Sequence, residues 1–170
     1  KKAITAEQAP AAIGPYSHGI SVGTLFFTSG QIPLVPETGI LAGETIEVQT
    51  QQVLANLSAI LAANSMTFAN VVKTTVFLTD LADFSVVNKI YAAEFPEEPP
   101  ARSCVQVAAL PAGAKIEIEL VAARYLCFVK KMNACCRISG QAGVHFPVFN
   151  NRKNQRVSLC ANVSRSAKIS

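Results

Sequence analysis

The sequence predicts an α+β fold: a mixed β-sheet with two helices packed on one face, in the order β-β-α-β-α-β-β. Three observations carry that expectation. In one long stretch Val53, Leu57, Ile60 and Leu61 recur at helical spacing, and Leu54 widens the apolar stripe. Residues 71–79 and 115–121 are rich in β-branched side chains and alternate with period two. Glycines and prolines punctuate the chain between these segments.

Taken in order, Ile20-Ser21-Val22-Gly23 and Leu25-Phe26-Phe27-Thr28-Ser29-Gly30-Gln31-Ile32 read as two short strands with Gly23 at their turn. Pro33, Pro36, Gly39 and Gly43 make the next segment a loop. A helix is expected over residues 46–63, with Asn64 as terminator. The strand at residues 71–79 places Val72, Thr74, Val76 and Leu78 on one face. Asp80 and Asp83 then flank a turn. Asp83 is positioned to cap a second helix that ends near Phe95, with Val87 and Tyr91 on one of its faces. Pro96, Pro99 and Pro100 stop it.

Two further strands, expected to form a hairpin, complete the body. Pro99-Pro100-Ala101-Arg102-Ser103-Cys104-Val105-Gln106-Val107 is a strand entered through two prolines, with Arg102 and Cys104 on one face. After Leu110-Pro111-Ala112-Gly113, a second strand puts Lys115, Glu117 and Glu119 on one face and Ile116, Ile118 and Leu120 on the other. An arginine, a thiol and carboxylates within one hairpin suit a small carboxylated substrate. Two helices cover only one sheet face. Association through the other is expected to give an oligomer, with cover by the C-terminal segment as the competing arrangement.

Composition divides the chain. Residues 1–123 carry six Lys or Arg against eleven Asp or Glu, whereas residues 124–170 carry nine Lys or Arg and no acid. An acidic body is therefore followed by a basic segment, and the body offers no surface for a phosphate backbone. Cys104 is the one cysteine of the body; Cys127, Cys135, Cys136 and Cys160 follow it. A lone thiol fits a reducing compartment. The later cysteines lack C-x-x-C spacing and His145 adds a single imidazole, so no metal site is expected. No apolar run reaches the roughly 18 residues of a membrane span. The first residues lack the apolar stretch of a signal peptide. A cytoplasmic location is the expectation, with mitochondrion or plastid as alternatives if a targeting segment has been removed. The expected domains are residues 1–124 and an atypical, basic, cysteine-containing extension at 125–170. Phe128-Val129 and residues 144–149 are its strand candidates, and altered splicing, frameshift or read-through its expected origin.

Five separated segments resemble a known family. They are Gly14-Pro15-Tyr16-Ser17, Phe27-Thr28-Ser29-Gly30-Gln31-Ile32-Pro33, Val72-Lys73-Thr74-Thr75-Val76-Phe77-Leu78, Pro100-Ala101-Arg102-Ser103-Cys104-Val105 and Lys115-Ile116-Glu117-Ile118-Glu119. In order and spacing, from about Ala3 to Ala123, they resemble the Rid (reactive intermediate deaminase, or YjgF) family. The resemblance implies a chorismate-mutase-like fold of the bacillus type, and a homotrimer with active sites in clefts between subunits. It implies hydrolysis of 2-imino acids (2-iminopropanoate, 2-iminobutanoate) or enamines such as 2-aminoacrylate to 2-keto acids and ammonia. It implies no cofactor and no metal. Some relatives carry the labels translation inhibitor and ribonuclease.

The resemblance also assigns roles. Arg102 matches the arginine that clamps the substrate carboxylate, a task suited to a planar, permanently charged fork; pairing with Glu97, Glu98 or Glu119 is the alternative. Glu117 matches the glutamate that positions or activates water, although Glu119 shares its face. Cys104 matches a pocket-wall position rather than a nucleophile, because a thiolate needs a base and His18 is not obviously placed for that. Tyr16 and Ser29 match substrate-pocket residues, with local turn chemistry as the alternative for each. Asn88 matches a pocket position on the second helix. Two rival functions share these residues: a nonenzymatic module binding small carboxylates or proteins, and an RNA-cleaving translation inhibitor.

Overall fold

The computed structural model describes residues 1–124 and, beyond them, the backbone of four two-residue strands. The chain divides into two compact units, Lys1–Tyr125 and Leu126–Ser170.

The first unit contains β1 (Lys2–Ile4), β2 (Gly19–Val22), β3 (Leu25–Thr28), α1 (Ile46–Ala63), β4 (Val71–Leu78), α2 (Phe84–Glu94), β5 (Ala101–Gln106) and β6 (Ile116–Ala123). The six strands form one sheet in the order β1-β2-β3-β6-β4-β5. Only β4 and β5 run parallel; every other neighbouring pair is antiparallel. Two helices on a mixed sheet give the chorismate-mutase-like α+β arrangement that was expected.

α1 begins where Thr45 accepts a hydrogen bond from the Val48 amide and Glu47 complements the helix dipole. It ends at Asn64, as the sequence suggests. The predicted stripe is buried in full: Val53, Leu54, Leu57, Ile60 and Leu61 meet Val76, Leu78, Ile116, Ile118 and Leu120 of the sheet. Two buried amides tie α1 to its surroundings. Gln49 donates to Gly43 O and accepts from the Lys115 amide, and Asn56 donates to Ile32 O and Leu34 O. They hold the loop after β3 against the helix, so its carbonyls are satisfied without a ladder.

Four expectations are corrected. The two strands around residues 102–121 do not form a hairpin, because β4 lies between them. α2 carries the chain from β4 over the sheet and back, which makes β5 parallel to β4. β6 then fills the other side of β4. An additional strand, β1, pairs with β2; at three residues with one buried side chain it has no readable alternation. Val72 does not share a face with Thr74, Val76 and Leu78. A register shift between Val71 and Lys73 turns Val71 inward and leaves Val72 exposed. Finally, Asp80 rather than Asp83 supplies the cap. Its carboxylate accepts from the Ala82 amide at 2.8 Å, in a short 3-10 turn that runs directly into α2. Asp83 already has helical dihedrals, and its side chain makes no cap bond.

The sheet face away from the helices carries Phe27, Lys73, Thr75, Phe77, Glu117, Glu119 and Val121. Phe27 and Leu25 are respectively 42% and 41% exposed there. In the second unit, Gln141–Ala142 pairs antiparallel with Asn162–Val163, and Val148–Phe149 with Arg156–Val157. The strand candidate Phe128-Val129, residues 144–147 and the four later cysteines lie outside the described residues. Among the described residues no helix is long and apolar enough to cross a membrane, and no cluster of His, Cys, Asp and Glu could hold a metal.

Candidate active site

The candidate residues fall into two groups on opposite faces of the sheet. On the helix side, Arg102 is the register partner of Thr74, and Cys104 that of Val76. Both project toward α2. Phe84, Asn88 and Tyr91 recur there at i, i+4 and i+7, so they share one face of the helix. Among the described residues the guanidinium pairs with no carboxylate. It lies instead over two rings, with Cζ 5.4 Å from the Phe84 centroid and 4.8 Å from that of Tyr91. The alternative pairing with Glu97, Glu98 or Glu119 is thus not the one formed.

Cys104 packs partly buried against the core. Burial pushes its thiol pKa up, against a smaller opposing effect of Arg102. A thiol so placed stays protonated near neutral pH, which suits a wall and not a nucleophile. His18 is remote from this chemistry: it is buried, and its Nδ1 accepts the Ala6 amide at 3.0 Å. Asn88 Oδ1 is buried and has no hydrogen-bond partner among the described residues. An acceptor left in that condition is costly unless something else donates to it.

On the other side, Glu117 is the register partner of Phe77 and projects from the open face. Its carboxyl lies against Gly30, where an added Cβ would fall 1.8 Å from Glu117 Oε1. Glycine is needed here for approach rather than for backbone conformation. Gly30 follows Ser29, whose hydroxyl donates to Ser17 O at 2.7 Å. Tyr16 stands beside these residues, and its hydroxyl accepts the Ile13 amide at 3.3 Å. Tyr16 and Ser29 therefore make the local turn contacts considered for them, each with an oxygen lone pair still available. Half-burial, with Glu119 as the second cause, raises the Glu117 pKa above the ordinary carboxylate value. A carboxyl shifted in this direction holds its proton more readily than an ordinary glutamate and can act as both acid and base.

Tyr16, Gly30 and His18 line a cleft of about 20 Å³, room for little more than a water. The structure thus joins Arg102 with Cys104 and Asn88, and Glu117 with Tyr16 and Ser29, and does not join the two groups within one copy. Sequence reasoning missed the rings of Phe84 and Tyr91 beside Arg102. The i, i+4, i+7 spacing around Asn88 is the signal that points to them.

A family model described as Endoribonuclease L-PSP matches residues 6–124. The chain belongs to this family. It is the Rid, or YjgF, family that the five sequence segments resemble. Among its curated relatives, Reactive Intermediate Deaminase A, chloroplastic, of Arabidopsis thaliana is 54% identical over 122 residues, covering 72% of this chain. The chain spans only 65% of that plant protein's length. The 2-iminobutanoate/2-iminopropanoate deaminase of Salmonella typhimurium is 51% identical over 126 residues, covering 72% of this chain and 98% of the relative. Among solved structures, E. coli TdcF with bound serine superposes with a TM-score of 0.70 at 44% identity, covering 74% of this chain and all of that one. The matched residues 6–124 lie within the first unit.

Proposed function

We propose that the chain hydrolyses 2-imino acids and their enamine tautomers to 2-keto acids and ammonia. The observation that carries this reading is the pair of complementary groups: an arginine that has no carboxylate partner among the described residues, and a half-buried carboxyl that holds its proton more tightly than an ordinary glutamate. Deaminase relatives about half identical over 72% of the chain support it.

The reaction follows from these two groups. Arg102 takes the substrate carboxylate as a fork. With the substrate as its iminium, Glu117, as carboxylate, accepts a proton from water as the water oxygen bonds to the C=N carbon, and the C=N electron pair moves to nitrogen, giving a neutral carbinolamine. The protonated Glu117 then gives that proton to the amino nitrogen. As the C–N bond breaks and ammonia leaves, the carbonyl forms and the hydroxyl proton passes back to the Glu117 carboxylate. An enamine such as 2-aminoacrylate enters the same sequence once its terminal carbon is protonated to the iminium. The substrate is already activated, so positioning and one acid-base group suffice. Asn88 Oδ1 is the acceptor for the substrate N–H, and Tyr16 and Ser29 close the pocket.

We assign the complete pocket to adjoining copies of a homotrimer. Arg102 and Glu117 leave opposite faces of the sheet, so one copy's Arg102 must meet a neighbour's Glu117. The open face, with Leu25 and Phe27 exposed, is apolar enough to be the contact. A ribonuclease reading has less support, since the body carries eleven acidic against six basic residues up to position 123.

The test is release of keto acid from freshly generated 2-aminoacrylate. Wild type is expected to exceed the buffer rate, and Arg102→Ala to fall back to it. A wild-type rate equal to buffer would remove the enzymatic reading.

A further inference from the structure

Arg102 is an exposed side chain on an edge strand, yet its guanidinium has a fixed resting place. Tyr91 provides it. The Tyr91 ring lies 4.8 Å from Arg102 Cζ, and its hydroxyl shares a 2.7 Å hydrogen bond with Thr74 Oγ1. Tyr91 and Thr74 are both buried, at 5% and 1% exposure. Thr74 is in turn the residue directly beside Arg102 in the β4–β5 ladder. The contact therefore closes a ring of three residues: backbone register joins Arg102 to Thr74, a hydroxyl bond joins Thr74 to Tyr91, and the aromatic face returns to Arg102.

The Tyr91 ring is immobilised further by Phe95, one helical turn on, at 4.6 Å between centroids. Phe95 takes the edge of Phe68 at 5.2 Å. A cation over a ring so held is restrained by the ring quadrupole without spending any of its hydrogen-bond donors. A carboxylate partner would restrain it too, but would occupy the fork. An aromatic partner holds the stem and leaves the donors open.

We propose that Tyr91, anchored by Thr74, is a positioning residue that aims the Arg102 guanidinium at the substrate carboxylate. The inference rests on the reading of Arg102 as the carboxylate clamp. A clamp grips a carboxylate equally before and during reaction, so its misalignment appears in KM rather than kcat.

The variants are Tyr91→Phe, which keeps the ring and removes the hydroxyl, and Thr74→Val, which removes the anchor at near-constant shape. Each is expected to raise KM for 2-iminobutanoate, and the Kd for the product 2-oxobutanoate by calorimetry, about three- to tenfold while kcat stays within about twofold. The Arg102 Nε–H resonance is expected to move in both variants, because the ring current at the guanidinium changes. Unchanged KM, Kd and resonance with only a lowered Tm would make Tyr91 a core residue and overturn the proposal. Should one variant fail to fold, the other carries the test. Arg102→Ala separates the two levels. If it leaves the Kd for 2-oxobutanoate unaltered, the clamp reading falls, and the positioning role with it; if it raises that Kd while neither hydroxyl variant does, only the positioning role falls.

Discussion

Arg102 and Glu117 project from opposite faces of one sheet with a single strand between theirs. Arg102 stands beside Thr74 on the helix-covered side, and Glu117 beside Phe77 on the open side. No rotamer of either side chain passes through a hydrogen-bonded sheet. A pocket that uses both must draw them from two copies.

That geometry predicts complementation. Arg102→Ala and Glu117→Ala are each expected to be inactive alone. Unfolded together in equal amounts and refolded, they should recover about a quarter of wild-type activity, the share of interfaces that pair an intact arginine with an intact glutamate in a randomly mixed ring. A pocket contained in one copy would recover nothing.

Glu117 also predicts a pH dependence of stability. Its pKa is raised by burial and then by Glu119, so the folded chain binds this proton more tightly than the unfolded one. That contribution is fully present below the ordinary carboxylate range and is lost as pH rises through the raised value. Glu117→Gln has no such loss. Its Tm is expected to exceed wild type at pH 7, with the gap closing toward pH 4, while kcat drops about 10²- to 10⁴-fold. Thermal melts across that range, with matched assays, check both halves.

The Glu119 charge should be visible in the rate profile. Water activation needs Glu117 as carboxylate, so activity falls on the acid side through its raised pKa. Removing the second charge in Glu119→Gln lowers that pKa and moves the acid limb to lower pH. The plateau is expected to stay within about threefold, since Glu119 stands outside the proton transfers. A limb that does not move would detach it from Glu117.

Gly30→Ala separates stability from function. The new methyl would fall on the end of the Glu117 side chain, which is free to swing away, so the melting temperature should change little. The swing displaces the carboxyl by an ångström or more, and kcat is expected to drop about 100-fold. Equal activity would mean that the carboxyl has no fixed working position.

Cys104→Ser is expected to keep activity within about fivefold, and iodoacetamide to label the wild-type thiol slowly at pH 7, because burial keeps it protonated. Complete loss of activity with an intact fold would restore the thiol as nucleophile.

The helices and the inner faces of β4 and β6 were readable because their patterns are long. α1 repeats its apolar stripe at helical spacing from Val53 to Leu61, and Ile116, Ile118 and Leu120 alternate without a break. The failures share a cause: pairing is not local. Nothing in residues 102–121 says that β4 will separate β5 from β6, since a hairpin and a split pair have the same alternation. Val72 was misplaced because a bulge shifts the face without marking the sequence. Asp83 was misread because Asp80 begins the turn first. At the site, the residue types of Arg102 and Glu117 were legible, and their faces relative to one another were not. Tyr91 was legible as a residue on one face of the second helix but not as the partner of a charge.

The position of β6 has a consequence for how the chain is made. It is the last strand of the sheet to be synthesised, yet it lies in the interior, between β3 and β4. Thr28 exchanges hydrogen bonds with Leu120 across 92 residues of chain. Until that strand emerges from the ribosome, β3 and β4 each present an unpaired edge, the form in which nascent chains aggregate. Assembly is then a single late closure, slowed by the long loops it must span. Substitutions that weaken β6 should therefore cost soluble yield during expression more than they cost each molecule that completes the closure.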